Sequence, residues 1–160
     1  MKTIVVGLGN PVLGDDGVGW RIVESVHQAS TFTNMSQPDV DFVCLAVGGL
    51  SLMEHLIGYD RAILVDAVNL GKLPLGDIYC LKLSDLPDFN AGHTGSAHDT
   101  TLPAALQLGR EMGAPLPDDI QVIGVETPGT YDFSEQLSPQ VAAAIPRAVL
   151  ILQSILSTYH

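Results

Sequence analysis

Apolar positions along this chain alternate between two rhythms, and the alternation predicts its elements. Thr3-Ile4-Val5-Val6 is a continuous apolar run, so the stretch from Lys2 to Val6 reads as a strand covered on both faces, central in a sheet. From Val18 to Val26 the apolar residues Val18, Ile22, Val23 and Val26 fall at helical spacing, which predicts a helix beginning near Gly17. Residues 30–39 carry polar and proline signals and read as a loop. A second strand is predicted from Asp41 to Val47. A short helix over Leu50 to Ile57 follows, with Leu52, Met53, Leu56 and Ile57 on one face. Ala62-Ile63-Leu64-Val65 is a third buried strand, closed by Asp66. Ile78 to Leu83 alternates more strongly, as an edge strand does.

The segment LSDLPDFNAGHTGSAHDT has no periodicity and is long for a plain connection, a property of functional loops. A helix is predicted from about Thr101 to Met112, with Asp99 and Thr100 as its cap, and a fifth strand from Ile120 to Val125. Ser138-Pro139 opens a last helix whose stripe is Val141, Ile145, Val149, Leu152 and Ile155, with a kink expected at Pro146. The alternation predicts a single α/β domain over residues 1–160, three layers deep (α/β/α), with a five-stranded, mostly parallel twisted sheet.

Composition narrows what such a domain does. Of the 160 residues 46% are hydrophobic and 16% charged, so a real core is available. Seven Lys and Arg stand against 18 Asp and Glu, a formal net charge of −11, which argues against gripping nucleic acid or an anionic membrane surface. Cys44 and Cys80 lie in apolar runs without a CxxC pair, so buried free thiols and a reducing cytoplasm are expected. No uninterrupted apolar run reaches the ~18 residues of a membrane span.

The first turn, GLGNPVLGDDGVG, follows strand one at the usual place for a dinucleotide phosphate. Val12 stands where the third glycine of GxGxxG belongs, and Asp15-Asp16 would repel a pyrophosphate. The turn is instead suited to presenting a carboxylate. Asp66 closes strand three at the same sheet end if the two strands are parallel, and His93 and His98 precede the next long helix. Two carboxylates and an imidazole converging there would suit a divalent ion such as nickel, zinc or manganese. Plainer roles stay open for each residue alone: Asp16 as a helix cap, Asp66 bonding to loop amides, His98 as a turn residue. His27, His55 and His160 have no clustered partners, and Asp15, Glu54 and Glu126 are expected to be solvated or helix-dipole acids.

GLGNPVLGDDGVGWRIVE resembles the N-terminal motif of the hydrogenase maturation endopeptidases. GGLSLMEHL, RAILVDAV, AHDTTLPAALQL, and IGVET with LSPQVAAAIPRAV follow in that family's order, so the resemblance covers nearly the whole chain. It implies a five-stranded twisted sheet with one antiparallel strand. It also implies that Asp16, Asp66 and His98 contact a metal and are needed for cleavage, with His93 a local competitor to His98. Many relatives carry an aspartate before the Gly-Gly of the second turn and a threonine after it, where Val47 and Leu50 stand here; substrate preference therefore does not transfer.

The implied activity is removal of the C-terminal extension from the large-subunit precursor of a nickel–iron hydrogenase. The nickel would be supplied by the precursor, and no nucleotide cofactor is expected. HExxH and GxSxG are both absent. The residues alone leave two other readings: a resident-metal amide or peptide hydrolase, and a non-catalytic nickel-binding maturation chaperone.

Overall fold

A computed structural model describes residues 1–32, 39–89 and 100–158. Five strands form one sheet in the order β2-β1-β3-β5-β4, with β1 Thr3–Leu8, β2 Val40–Leu45, β3 Arg61–Val68, β4 Ile78–Lys82 and β5 Asp119–Glu126. β1, β2, β3 and β5 are parallel, and β4 pairs antiparallel with β5 at one edge, as its alternating sequence predicts.

The apolar runs of β1 and β3 are continuous because both faces of the sheet centre are covered. Ala62, Leu64 and Val68 of β3 join one core cluster while Ile63, Val65 and Ala67 join the other. Four helices supply the cover: α1 Val18–Phe32, α2 Gly49–Leu56, α3 Leu102–Glu111 and α4 Pro139–Ser157. α1 packs with α4 on one face, and α2 with α3 on the other.

Several boundaries differ from the sequence expectation for local reasons. α1 runs on to Phe32, since no glycine or proline interrupts it after Gly19. β2 is shorter, ending at Leu45. α3 is capped by Thr101, whose hydroxyl accepts from the Ala104 amide at 3.3 Å, and not by Thr100. The buried stripe of α4 is Val141, Ala144, Ala148, Leu152 and Leu156, while Ile145, Val149 and Ile155 are only partly covered. Small alanines let this helix lie close to α1 and the sheet. By length and composition α4 would also suit a membrane span, but here that stripe is packed into the core.

Candidate active site

The β1–α1 turn folds back on itself, and its glycines make this possible. Gly9 has φ +120°, and a Cβ there would stand 1.9 Å from the carbonyl oxygen of Asp16. The turn closes through Leu13 N–H to the Asn10 carbonyl at 3.1 Å and Val12 N–H to the Asn10 side chain at 3.1 Å. Asp15 and Asp16 then sit in a 3-10 turn, Gly14–Gly17, that leads directly into α1. Asp16 is 1% exposed, and its Oδ2 accepts from the Asn10 amide at 2.8 Å. That bond reaches back into the turn, so the carboxylate helps to build the loop that presents it.

Asp66 lies one residue beyond the last β1–β3 pair, Gly7 with Val65, and is fully buried opposite Gly124 of β5. β1 continues through α1 to β2 on one side, while β3 leads toward β5 and β4 on the other. The gap between β1 and β3 is therefore the topological switch point, where open α/β sheets form their ligand crevice. Asp16, in the turn after β1, and Asp66, in β3, flank it. α1 is seated tightly there, since a Cβ on Gly19 would stand 2.2 Å from the Val65 carbonyl oxygen and 2.7 Å from that of Leu8.

The β5–α4 connection forms the third wall. Ser134 N–H donates to the Val12 carbonyl at 2.9 Å, and Gly14 N–H donates to that of Ser134 at 2.7 Å. Asp15 is mostly buried and accepts from the Ser138 amide at 2.7 Å, tying the acidic turn to the start of α4. It is a tether, and the expectation of a solvated acid fails here. Thr127 is 1% exposed, and its hydroxyl lies 2.7 Å from the Tyr131 hydroxyl. Burial chiefly, with the negative charges of Asp16, Asp66 and Asp15 adding to it, pushes the Tyr131 phenol up to about 12, against a lowering by the Thr127 hydrogen bond. One phenol thus senses all three carboxylates. Its sequence context, TPGTY, has no periodicity that would single it out.

Beside Asp66 opens a cleft of about 430 Å³, lined in part by Asn69, Leu70, Leu86, Phe89 and Gly129. Its β3–β4 side is held by Glu126, a buried acid whose carboxylate accepts from the Leu70 amide at 2.9 Å and the Gly71 amide at 2.5 Å. Tyr79 Oη accepts from the Leu73 amide at 3.0 Å in the same connection. Glu126 is likewise structural, whereas Glu54 is exposed as expected.

His93, His98, Asp99 and His160 lie outside the described residues. Thr100 carbonyl would be 2.3 Å from a Cβ on Gly49, so the second turn and the approach to α3 meet closely at this sheet end. Among the described residues no group of three His, Cys, Asp or Glu side chains is arranged to hold a metal ion. Of the remaining histidines, His27 stacks on Phe42 at 4.9 Å and exposed His55 bonds to the Ser51 carbonyl at 2.8 Å. Val47 packs against the core of the α2 face and Leu50 is exposed. Both cysteines are free. Burial, then Glu24, raises the Cys44 thiol to about 11, and burial also raises Cys80, although Cys80 is exposed at the sheet edge and not buried as expected. Neither resembles an activated thiolate.

This is an α/β fold with an acidic crevice at its switch point, and known proteins share the fold. A family model for hydrogenase maturation protease matches residues 20–155. The hydrogenase expression/formation protein HupD of Rhizobium leguminosarum bv. viciae is 28% identical over 148 residues, covering 92% of this chain and 70% of that protein. The hydrogenase 2 maturation protease of Escherichia coli is 28% identical over 150 residues, with 93% and 87% covered. Among solved structures, the hydrogenase maturating endopeptidase HybD from E. coli superposes with a TM-score of 0.77 at 25% identity, covering 99% of this chain and 93% of its own. The chain belongs to the hydrogenase maturation protease family and is an endopeptidase.

Proposed function

We propose that this endopeptidase removes the C-terminal extension of a nickel–iron hydrogenase large-subunit precursor after nickel insertion, and that Asp16, Asp66 and His98 recognise the inserted metal. The observation that carries this reading is the pair of buried carboxylates, Asp16 in the turn after β1 and Asp66 in the neighbouring strand β3, flanking one crevice. Two oxygens and one imidazole occupy only part of a transition ion's coordination sphere. The remaining positions would belong to the precursor, which brings the nickel as part of the substrate. No nucleotide takes part, since the acids and Val12 disfavour a pyrophosphate.

Capture of the ion would place the scissile peptide against the crevice, so that metal occupancy gates cleavage through proximity and orientation. Specificity is then the difference in affinity between loaded and empty precursor. The cleft beside Asp66 suits an extended peptide, with Leu70, Leu86 and Phe89 as apolar contacts. The cytoplasm, which keeps Cys44 and Cys80 reduced, is the compartment in which we place the reaction.

The test is the intact mass of the precursor after incubation with the protein, with and without prior nickel loading. Loss of a C-terminal peptide only from the loaded form, absent with Asp16→Asn, is the expected result. Cleavage regardless of nickel would overturn recognition of the metal. An unchanged mass of loaded precursor would overturn the substrate assignment.

A further inference from the structure

Asp16 and Asp66 are 1% and 0% exposed, so an ion held inside a folded protein reaches them only if that protein seats closely on the loops around the crevice. Those loops carry apolar side chains that the core does not use. Phe133 is 88% exposed, although Tyr131 and Leu137, on either side of it in the β5–α4 connection, pack against the core. Val12, also exposed, is held to the same connection: Ser134 N–H donates to its carbonyl at 2.9 Å, and Leu13 and Ser134 form a parallel bridge. The neighbouring β3–β4 connection exposes Leu73 and Leu75. The two connections meet where Gly129 has no room for a Cβ against the Asn69 side chain, and Asn69, Leu70 and Gly129 there line the cleft beside Asp66.

Single exposed leucines are ordinary on a protein surface, but the backbone that carries these is held unusually firmly. Two buried side chains do the holding. The Glu126 carboxylate accepts from the Leu70 and Gly71 amides, and Tyr79 Oη accepts from the Lys72 amide at 3.3 Å and the Leu73 amide at 3.0 Å. The Gly76 amide donates to the Glu126 carbonyl at 2.8 Å. A buried carboxylate is a costly way to close a loop that only faces water. A loop fixed in advance, however, loses little conformational freedom when a partner covers it. Resting on the reading above, in which the precursor brings its metal to this crevice, we propose that Val12, Leu73, Leu75 and Phe133 form an apolar rim on which the folded body of the precursor docks. Phe133 is the main anchor, since aromatic side chains at a contact carry a disproportionate share of binding energy. The partner face that fits this rim is apolar and surrounds the inserted ion. The rim grips loaded and empty precursor alike and excludes water from the crevice, and Asp16 and Asp66 then discriminate between the two.

Affinity for nickel-loaded and for empty precursor tests the rim, measured with Phe133→Ala, Phe133→Leu and the double variant Leu73→Ala, Leu75→Ala. Met112→Ala is the comparator, because Met112 is 78% exposed but lies between α3 and β5, at the opposite end of the sheet. Phe133→Ala should weaken binding of both forms by the same factor, roughly 10–100-fold for an aromatic anchor. KM for cleavage of loaded precursor should rise with it, while kcat at saturation stays within about twofold of wild type. Phe133→Leu should recover most of the loss, the double leucine variant should weaken both forms by about tenfold, and Met112→Ala should bind as wild type does. A side chain this exposed contributes little to its own fold, so the melting temperature of Phe133→Ala should not move and weaker binding cannot be put down to unfolding. Wild-type affinity in Phe133→Ala, a loss confined to the loaded form, or an equal loss in Met112→Ala overturns the rim as the docking surface. Wild-type protein that leaves loaded precursor intact overturns the proposed substrate as well, whereas wild-type cleavage with an unaffected Phe133→Ala overturns this inference alone.

Discussion

Gly19→Ala separates two physical effects of opposite sign. Gly19 lies in the first turn of α1, where alanine is the better helix former by about 1 kcal/mol, so local propensity alone predicts a gain in stability. Packing predicts the reverse. The new methyl would stand 2.2 Å from the Val65 carbonyl oxygen and 2.7 Å from that of Leu8, both fixed backbone atoms of central strands. Relieving that overlap requires α1 to move from the sheet by about 1 Å, a strain that typically costs about 1–3 kcal/mol. The upper part of the range applies because neither oxygen can rotate away. Net destabilisation is then about 1–2 kcal/mol, roughly 3–8 °C in melting temperature for a chain of this size. The same displacement carries the Asp15–Asp16 turn away from Asp66, and a misplacement near 1 Å is worth on the order of 10²-fold in rate. Thermal melts and precursor cleavage measure both effects. Gly113→Ala serves as comparator: it has φ +84° and open space around it, so it should lose about 1 kcal/mol from backbone strain while cleaving normally. A Gly19→Ala protein as stable and as active as wild type would refute the close seating of α1 against the strand ends.

Asp15→Ala should lose about 1–2 kcal/mol, because the part-buried Ser138 amide loses its acceptor, while cleavage stays within about fivefold of wild type; Asp16→Asn should be stable and inactive. Urea unfolding and the mass assay together distinguish these roles. Glu126→Gln weakens charge-assisted bonds to the Leu70 and Gly71 amides and should cost about 2 kcal/mol, with faster proteolytic nicking in the β3–β4 connection. The double variant Cys44→Ser, Cys80→Ser should retain cleavage, since neither thiol is activated: both are raised above the ordinary thiol range. Cys44 moves from 9.0 to about 11 on folding, so the stability tied to its neutral thiol is complete below pH 9 and lost as pH rises through 11. Urea melts at pH 8 and pH 11 should show a smaller alkaline loss in Cys44→Ala than in wild type.

Much of the fold was legible because period and burial coincide. The continuous apolar runs of β1 and β3 announced strands covered on both faces, and the alternation of Ile78 to Leu83 announced the edge, observed as Ile78–Lys82. The stripe of α4 was misread because Ala144 and Ala148, small enough for close helix packing, carry less hydrophobic signal than Ile145 and Val149. Asp16 and Asp66 stood out in the sequence because each follows a continuous apolar run, one in the turn after β1 and one toward the carboxyl end of β3. Asp15 and Glu126 were misjudged since their partners, the amides of Ser138, Leu70 and Gly71, are remote in sequence. Tyr131 and Thr127 were passed over for a related reason: an aperiodic connection gives no face on which to place a side chain.

In the proposed function, Asp16 and Asp66 read the metal carried by the precursor. Its most direct test is the affinity of the protein for nickel-loaded and empty precursor, measured for wild type, Asp16→Asn, Asp66→Asn and the double variant. Wild type should bind the loaded form at least about tenfold more tightly, a difference that each single variant largely removes and the double variant removes no further. Equal affinity of wild type for both forms, or a preference that survives in the double variant, would contradict it.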